Sequence, residues 1–136
     1  MKGTLKSIGN INTPYQAIED YPNNVDLNGP ICQLVINEEF IDGLSGLQPG
    51  QKILILYWFD NTDRNSTKQE SNNGAKLMGT FALTSPHRPN PIRAAVLPIE
   101  TIDNGVVSVK GIDCLNGTHL LDIKPAILHE YSNKNT

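Results

Sequence analysis

Lys52-Ile-Leu-Ile-Leu-Tyr-Trp-Phe59 is the most apolar run of this 136-residue chain. A run of this length that stops at a turn, here Asp60-Asn61-Thr62-Asp63, is typical of a strand buried on both faces. Working outward from it, strand-like apolar patterns are found on both sides. They cover residues 2–10, 31–36, 77–83, 92–99, 106–112 and 120–123.

The spacing of apolar residues predicts only one helix, over residues 38–47. Phe40, Ile41, Leu44 and Leu47 fall on one face, and Pro49-Gly50 ends it. About seven strands without βαβ alternation predict an all-β fold, a small single-domain β-barrel with one short helix. Residues 60–76 form a long polar loop, and loops of this length are usually functional. We expect the domain to cover residues 1–131 and the polar tail 132–136 to be disordered.

Composition narrows the function classes. No apolar run reaches the roughly 18 residues of a membrane span, and the N-terminus lacks the apolar region of a signal peptide. Cys32 and Cys114 have no metal or redox spacing, so we expect two free thiols and a cytoplasmic protein. The net charge of −3 argues against strong non-specific binding to nucleic-acid phosphates.

The segment 85–92, Ser-Pro-His-Arg-Pro-Asn-Pro-Ile, is the first place to look for chemistry. Its three prolines prevent a helix or a central strand and stiffen the chain, so little entropy is lost on binding. His87, Arg88 and Asn90 supply its polar groups. Arg88 suits a carboxylate or phosphate, or it ties the segment to nearby carbonyls; the sequence leaves both interpretations open.

Three aspartates lie near predicted strand ends. Asp60 follows the apolar run, Asp113 follows residues 106–112, and Asp122 precedes Lys124-Pro125. Strand ends converge at the rim of a barrel, so the three carboxylates could share a site; alternatively each begins a turn, as Asp commonly does. His87, His119 and His129 lack metal-ligand spacing, and we expect no metal.

Three ordered blocks carry a family resemblance. The first is Gly79-Thr80-Phe81-Ala82 with Ser85 and Arg88-Pro89-Asn90-Pro91-Ile92. The second is Asp113, Asn116-Gly117-Thr118 and Asp122-Ile123-Lys124-Pro125, and the third is Ile8-Gly9 with Thr13-Pro14-Tyr15. Together they resemble the TsaA-like (TrmO-type) family of S-adenosylmethionine-dependent tRNA methyltransferases.

The resemblance implies a homodimeric β-barrel enzyme that methylates N6 of threonylcarbamoyladenosine next to the tRNA anticodon. It places cofactor contacts at Val25, Asp26, Leu27, Asp60, Asn61, Thr84, Arg88, Asn90, Ala94, Lys110, Gly111, Ile112 and Asp113. We expect substrate contacts at His87, Arg88, Arg93, Asp122 and Lys124. Asp60 and Asp113 are the candidate catalytic proton acceptors.

The chain departs from the family pattern at two positions. Thr84 stands where the family usually has arginine, and Arg93 where it has glycine. We also expect the C-terminal domain of larger members to be absent. With the acidic balance, these departures keep two alternatives open: a small-molecule methyltransferase on the same scaffold, and a non-catalytic ligand-binding barrel.

Overall fold

A computed structural model describes residues 1–20, 22, 24–71 and 76–127. In this part of the chain it contains nine β-strands and three short 3-10 helices. The strands are β1 (Gly9–Asn12), β2 (Ile31–Ile36), β3 (Lys52–Trp58), β4 (Lys68–Glu70), β5 (Leu77–Gly79), β6 (Ile92–Pro98), β7 (Thr101–Asp103), β8 (Val106–Lys110) and β9 (Thr118–Pro125). The helices span Ile18–Asp20, Glu38–Leu44 and Thr80–Ala82.

Strand β3 forms at the apolar run and lies inside the main sheet, between β6 and β9. Its residues alternate in burial: Ile53, Ile55 and Tyr57 are fully buried, whereas those between them are half-buried. The prediction that both faces are buried is therefore wrong. One face packs on the core, as is usual for an antiparallel sheet.

The main sheet has seven antiparallel strands in the order β6-β3-β9-β1-β2-β8-β7, and β4 and β5 form a separate hairpin. The sheet folds around one apolar core, which supplies most of the driving force for folding. Its fully buried aliphatic residues come from β1, β2, β3, β6, β8 and β9 and include Ile11, Leu34, Ile53, Leu97, Val107 and Leu120. Each contributes on the order of 1.5–3 kcal/mol of transfer free energy.

The all-β prediction is confirmed, but the closed barrel is not. Ile99 N–H donates to Gln51 O (2.9 Å), and the next residue, Glu100, donates from N–H to Ser108 O (2.8 Å). The continuous stretch formed by β6 and β7 therefore pairs first with β3 and then with β8. The two edge strands of the sheet, β6 and β7, meet end to end, and no ladder pairs them in the described residues.

Several predicted element boundaries are wrong. The first strand begins at Gly9, and Leu5, within the predicted strand 2–10, is 61% exposed. A side chain at Gly9 would lie 2.1 Å from Val35 O, so only glycine permits this pairing. The predicted helix is a shorter 3-10 helix, Glu38–Leu44, and the predicted strand 77–83 ends at Gly79.

Other expectations have mixed outcomes. The turn at Asn104-Gly105 is confirmed: both residues have positive φ (48° and 80°) and join β7 to β8. No helix in the described part of the chain is long and apolar enough to cross a membrane. The polar loop 60–76 contains β4, and its residues 72–75 lie outside the described residues, as do the predicted domain end at 131 and the tail.

Candidate functional site

The segment 85–92, which we call the proline strap, folds around its own arginine. Arg88 Nη1 donates to Leu83 O (2.9 Å) and Ser85 O (3.0 Å), and Nη2 donates to Thr80 O (3.3 Å). The sequence left two interpretations of Arg88 open. The structure shows the one in which Arg88 ties the strap to nearby carbonyls. The same guanidinium also borders a cavity, so the second interpretation stays available.

Residues 63–69 fasten the strap from outside. Asp63 N–H donates to His87 Nδ1 (3.0 Å), and Arg64 Nε donates to Pro89 O (2.7 Å). The Arg64 guanidinium lies over the Trp58 ring, 5.3 Å from its centroid, in cation–π geometry. The polar loop is thus attached to the strap by hydrogen bonds between exposed groups.

The strap, the sheet and the loop at Asn24 and Val25 border an open cavity of about 560 Å³, which we call the arginine cavity. It is lined by Asn24, Val25, Leu83, Thr84, Arg88, Ile92, Arg93, Ala94 and Asp113. Five of these residues are ones that the resemblance assigned to the cofactor: Val25, Thr84, Arg88, Ala94 and Asp113. The two positions that depart from the family pattern, Thr84 and Arg93, line this one cavity.

The floor of the arginine cavity is a hydrogen-bonded group of three side chains. Asp113 is fully buried and accepts a hydrogen bond from the Tyr57 hydroxyl through Oδ1. Arg93 Nη2 donates to Asp113 Oδ2 (2.5 Å), and its guanidinium lies 5.2 Å from the centroid of the Phe59 ring. Burial, reinforced by the Asp113 carboxylate, raises the pKa of Tyr57 far above its usual value, so the hydroxyl stays protonated and donates.

The loop with Val25, Asp26 and Leu27 packs against the turn after β8. Asp26 N–H donates to Gly111 O (2.9 Å), and Gly111 has a φ of +74°. A side chain at Gly111 would lie 1.5 Å from Asp26 O. Glycine is therefore required here by both the backbone conformation and the close approach of the two loops.

A second cavity, of about 310 Å³, is bordered by Pro86 and His87 of the strap. We call it the aromatic cavity; it is lined by Trp58, Phe59, Asp60, Asn61, Thr62, Pro86, His87, Leu115, Asn116, Gly117 and Thr118. Asn61 adopts the left-handed region at φ 59°. The Asp60 carboxylate is exposed and forms no ion pair or hydrogen bond with the described residues.

The three aspartates do not converge. Asp60 borders the aromatic cavity, Asp113 the arginine cavity, and Asp122 a third cavity of about 570 Å³ beside Phe40 and Leu44. Of the two alternatives, a single site shared by the three carboxylates is therefore not present. Asp122 lies within β9, opposite Leu56 of β3, and not at a strand end as expected, and a bulge between Leu56 and Tyr57 shifts the register of β9.

The other predicted site residues lie outside the arginine cavity. Asn90 accepts from Arg64 Nη2 (3.4 Å), Lys110 Nζ lies 3.6 Å from Glu100 Oε1, and Lys124 Nζ lies 3.9 Å from Asp122 Oδ2. Leu27 is exposed, whereas Gly111 and Ile112 are buried beneath the loop that carries Asp26. None of these residues lines the arginine cavity.

Sequence reasoning missed Tyr57 and Phe59, which hold Asp113 and Arg93 in place. A tyrosine in an otherwise aliphatic strand was the available signal, because a buried phenol usually finds a hydrogen-bond partner. The missed lining residues Asn24, Leu83 and Ile92 carried no comparable signal, since ordinary polar and apolar residues occur in any loop.

Both cysteines are free and buried. Burial raises the pKa of the Cys114 thiol to about 12, and it also raises the pKa of Cys32. Such thiols are poor nucleophiles because the reactive thiolate is scarce at neutral pH. Among the described residues, no group of three or more His, Cys, Asp or Glu side chains is placed to hold a metal ion.

Comparison with known proteins adds the family. The model of the tRNA-methyltransferase O N-terminal domain (TrmO_N) matches residues 10–130. A probable S-adenosyl-L-methionine-binding protein, VirR of Rhizobium radiobacter, is 36% identical over 122 residues, which cover 90% of this chain and 70% of that protein. The human tRNA (adenine(37)-N6)-methyltransferase is 38% identical over 96 residues, 68% of this chain and 22% of that protein.

Solved structures agree with this comparison. TrmO from Pseudomonas aeruginosa superposes with a TM-score of 0.79 at 27% identity, covering 96% of this chain. This chain spans 58% of the length of that TrmO chain. Because the family model matches most of the sequence and the fold agrees, the chain belongs to the tRNA-methyltransferase O N-terminal domain family.

Proposed function

We propose that this chain is an S-adenosylmethionine-dependent methyltransferase that acts on N6 of an adenosine in tRNA. The observation that carries the proposal is the convergence of Val25, Thr84, Arg88, Ala94 and Asp113 on the arginine cavity. These residues come from distant parts of the chain, and the family resemblance had assigned each of them to the cofactor. The names of the relatives, which include S-adenosyl-L-methionine-binding proteins and a human tRNA methyltransferase, support the same reading.

The arginine cavity fits such a cofactor in size and chemistry. Its volume of about 560 Å³ lies within the roughly 300–1,000 Å³ typical of small-molecule sites. Val25, Leu83 and Ala94 supply apolar surface, and Thr84 and Arg93 supply polar groups. When bound, S-adenosylmethionine supplies an electrophilic methyl group, so the protein mainly has to position it and exclude water.

We assign different roles to the two candidate catalytic carboxylates. Asp113 has both oxygens engaged, by Tyr57 and Arg93, so it positions the cavity floor and is a poor proton acceptor. Asp60 is exposed beside the aromatic cavity, which adjoins the arginine cavity at Phe59, whose ring lies 5.2 Å from the Arg93 guanidinium. We propose that an acceptor nitrogen entering from that side gives its proton to Asp60. The expected effect of Asp60→Asn is a rate about 10²–10⁴-fold lower, with affinity for S-adenosylmethionine unchanged by calorimetry.

The finer proposal concerns the acceptor, which we take to be threonylcarbamoyladenosine beside the anticodon. Labelled S-adenosylmethionine is incubated with tRNA that carries this modification and with the same tRNA lacking it. Transfer to the first tRNA alone supports the proposal. Equal transfer to both would overturn the threonylcarbamoyl requirement, and transfer to neither, under conditions where TrmO works, would overturn the tRNA substrate.

One observation favours a small-molecule acceptor as a second candidate. The arginines around the strap use part of their donors within the protein: Arg64 on Pro89, Arg88 on backbone carbonyls, and Arg93 on Asp113, which also offsets its charge. Together with the net charge of −3, this argues against strong binding to RNA phosphates. Tight binding of S-adenosylmethionine without tRNA-dependent turnover would favour this candidate, and no binding at all would favour a non-catalytic domain.

We also propose that the protein is a homodimer and works in the cytoplasm with its tRNA substrate. Sedimentation-equilibrium analysis tests the first point directly. A mass near twice the 14.9 kDa of the chain is expected, and a concentration-independent mass of one chain would contradict it.

A further inference from the structure

The arginine cavity holds two guanidinium groups whose hydrogen-bonding capacity is used differently. Arginine has five N–H donors. Arg88 directs three of them at the carbonyls of Thr80, Leu83 and Ser85, so its orientation is set by the strap. Arg93 directs one at Asp113, and its other N–H groups make no hydrogen bond with the described residues. Of five N–H donors, Arg93 therefore keeps four for a ligand, whereas Arg88 keeps two.

Arg93 is held in place before any ligand binds. Its side chain is 18% exposed, with Asp113 fixing one terminal nitrogen and the Phe59 ring covering the guanidinium plane. A guanidinium oriented by an acid and a ring loses little conformational entropy when it meets a ligand. Partial burial also strengthens its interaction with an anion compared with an arginine in bulk water.

The charge of the cavity favours an anionic group. The lining contains two arginines and one aspartate, so it carries a net charge of +1, and the six other lining residues are neutral. Asp113 is neutralised by Arg93 and is 1% exposed, so it is not available to a ligand cation. A carboxylate is one of the anions that the planar fork of an arginine binds through two parallel hydrogen bonds.

We infer that Arg93 binds the α-carboxylate of the methionine part of S-adenosylmethionine, with Asp113 as its positioning residue. The inference rests on the proposed placement of the cofactor in the arginine cavity. It assigns to this arginine a cofactor contact, whereas the sequence had placed Arg93 with the substrate. Arg93 thereby selects cofactors that carry the carboxylate over those that lack it.

The test compares two ligands that differ by this one group: S-adenosylmethionine and its decarboxylated analogue. Isothermal titration calorimetry measures both against the wild type, Arg93→Gln and Arg88→Gln. Arg93→Gln is expected to lower the affinity for S-adenosylmethionine by about 10- to 100-fold, the effect of losing a hydrogen bond between charged groups. Its affinity for the decarboxylated analogue should change by less than about threefold on the same reasoning.

Arg88→Gln is the matched control, because it removes the other guanidinium of the same cavity. It loosens the strap and should lower the affinity for both ligands by similar factors. If Arg93→Gln also lowered both equally, Arg93 would be only structural and the inference would be overturned. A selective loss in Arg88→Gln instead would move the carboxylate to Arg88.

Asp113→Asn keeps the inference testable even if Arg93→Gln fails to fold. It removes the negative charge beside Arg93 while retaining an acceptor for the Tyr57 hydroxyl. Because the Asp113 carboxylate orients the Arg93 guanidinium, we expect Asp113→Asn to lower the preference for S-adenosylmethionine over the decarboxylated analogue; an unchanged preference would overturn the positioning of Arg93 by Asp113. If the wild type bound neither ligand, the proposed cofactor site would itself fall, whereas equal wild-type affinity for both would overturn only the assignment of Arg93.

Discussion

The arginine cavity has two walls that each present a guanidinium, and the two walls are held together differently. On the strand-built wall, Arg93 meets the buried carboxylate of Asp113, which in turn holds the Tyr57 hydroxyl. On the strap-built wall, Arg88 meets three backbone carbonyls. A carboxylate can be removed by one substitution, whereas a backbone carbonyl cannot. The strand-built wall should therefore be the more sensitive to single mutations.

Asp113→Ala is expected to have the largest effect, because it breaks the strand-built wall at its centre. It leaves the Arg93 charge and the buried Tyr57 hydroxyl without their partner. Removing one member of a buried ion pair costs about 3–5 kcal/mol of the free energy of unfolding. Urea unfolding measures this, with Asp113→Asn as the milder control, and a loss below about 1 kcal/mol would show that the ion pair contributes little.

The next largest loss of stability is expected at one of two glycines that have similar backbone conformations but different surroundings. Gly111 (φ +74°) has Asp26 O in the way of a side chain, whereas Gly117 (φ +86°) has no neighbour within 4 Å. Gly117→Ala should cost about 1–2 kcal/mol, the penalty of the left-handed conformation alone. Gly111→Ala should cost about 2–4 kcal/mol because the loop that carries Asp26 must also move.

The two glycine variants also separate the loop contact from the backbone strain. Since that loop carries Val25, which lines the arginine cavity, only Gly111→Ala should weaken the binding of S-adenosylmethionine. Thermal or urea unfolding together with calorimetry checks both parts. Equal losses of stability in the two variants would show that the contact with Asp26 is unimportant.

High pH should lower the stability of the protein by ionising two buried neutral groups. They are Tyr57 of the strand-built wall and Cys114, which follows Asp113 in the chain. Burial raises the pKa of Cys114 to about 12, and it raises the pKa of Tyr57 further. Both groups ionise more readily in the unfolded chain, from about pH 9 and 10. Their contribution to stability is therefore complete below pH 9 and is lost as the pH rises toward 12.

Each buried group should lower the free energy of unfolding by up to about 1.4 kcal/mol per pH unit in that range. Urea unfolding at a series of pH values gives the slope. Cys114→Ala and Tyr57→Phe should each make the decline shallower, beginning near pH 9 and pH 10 respectively. A decline unchanged in both variants would mean that other groups cause it.

The fold was predictable where one local pattern dominates. The apolar run gave β3, and Asn104-Gly105 gave the hairpin because its turn requires two positive φ angles. The strands β4 and β7 were missed because three residues carry no readable pattern and form only by pairing with a neighbour. The closed barrel was not predictable, because closure depends on where the chain turns between β6 and β7, at Ile99 and Glu100.

Only part of the site was predictable from the sequence, and the reason is physical. The strap was recognisable from its prolines, and five of the residues assigned to the cofactor line one cavity. The partners of Arg88 and Arg93 were not predictable, because a guanidinium can donate to a carbonyl, a carboxylate or a ligand. Which of these it meets depends on strand register, here on Tyr57 lying opposite Arg93.

The smallest effect is expected on the strap-built wall, from Arg64→Ala. Arg64 is exposed and joins the polar loop to the strap through Pro89 O and the Trp58 ring. Exposed cation–π and polar contacts contribute about 0.5–1 kcal/mol. Trp58 is the single tryptophan, so its fluorescence should report the loss directly, with Arg64→Lys retaining part of the ring contact. If Arg64→Ala lowered the free energy of unfolding as much as Asp113→Ala does, the two walls would not differ. Exposed contacts would then stabilise the strap as much as buried contacts stabilise the strand-built wall.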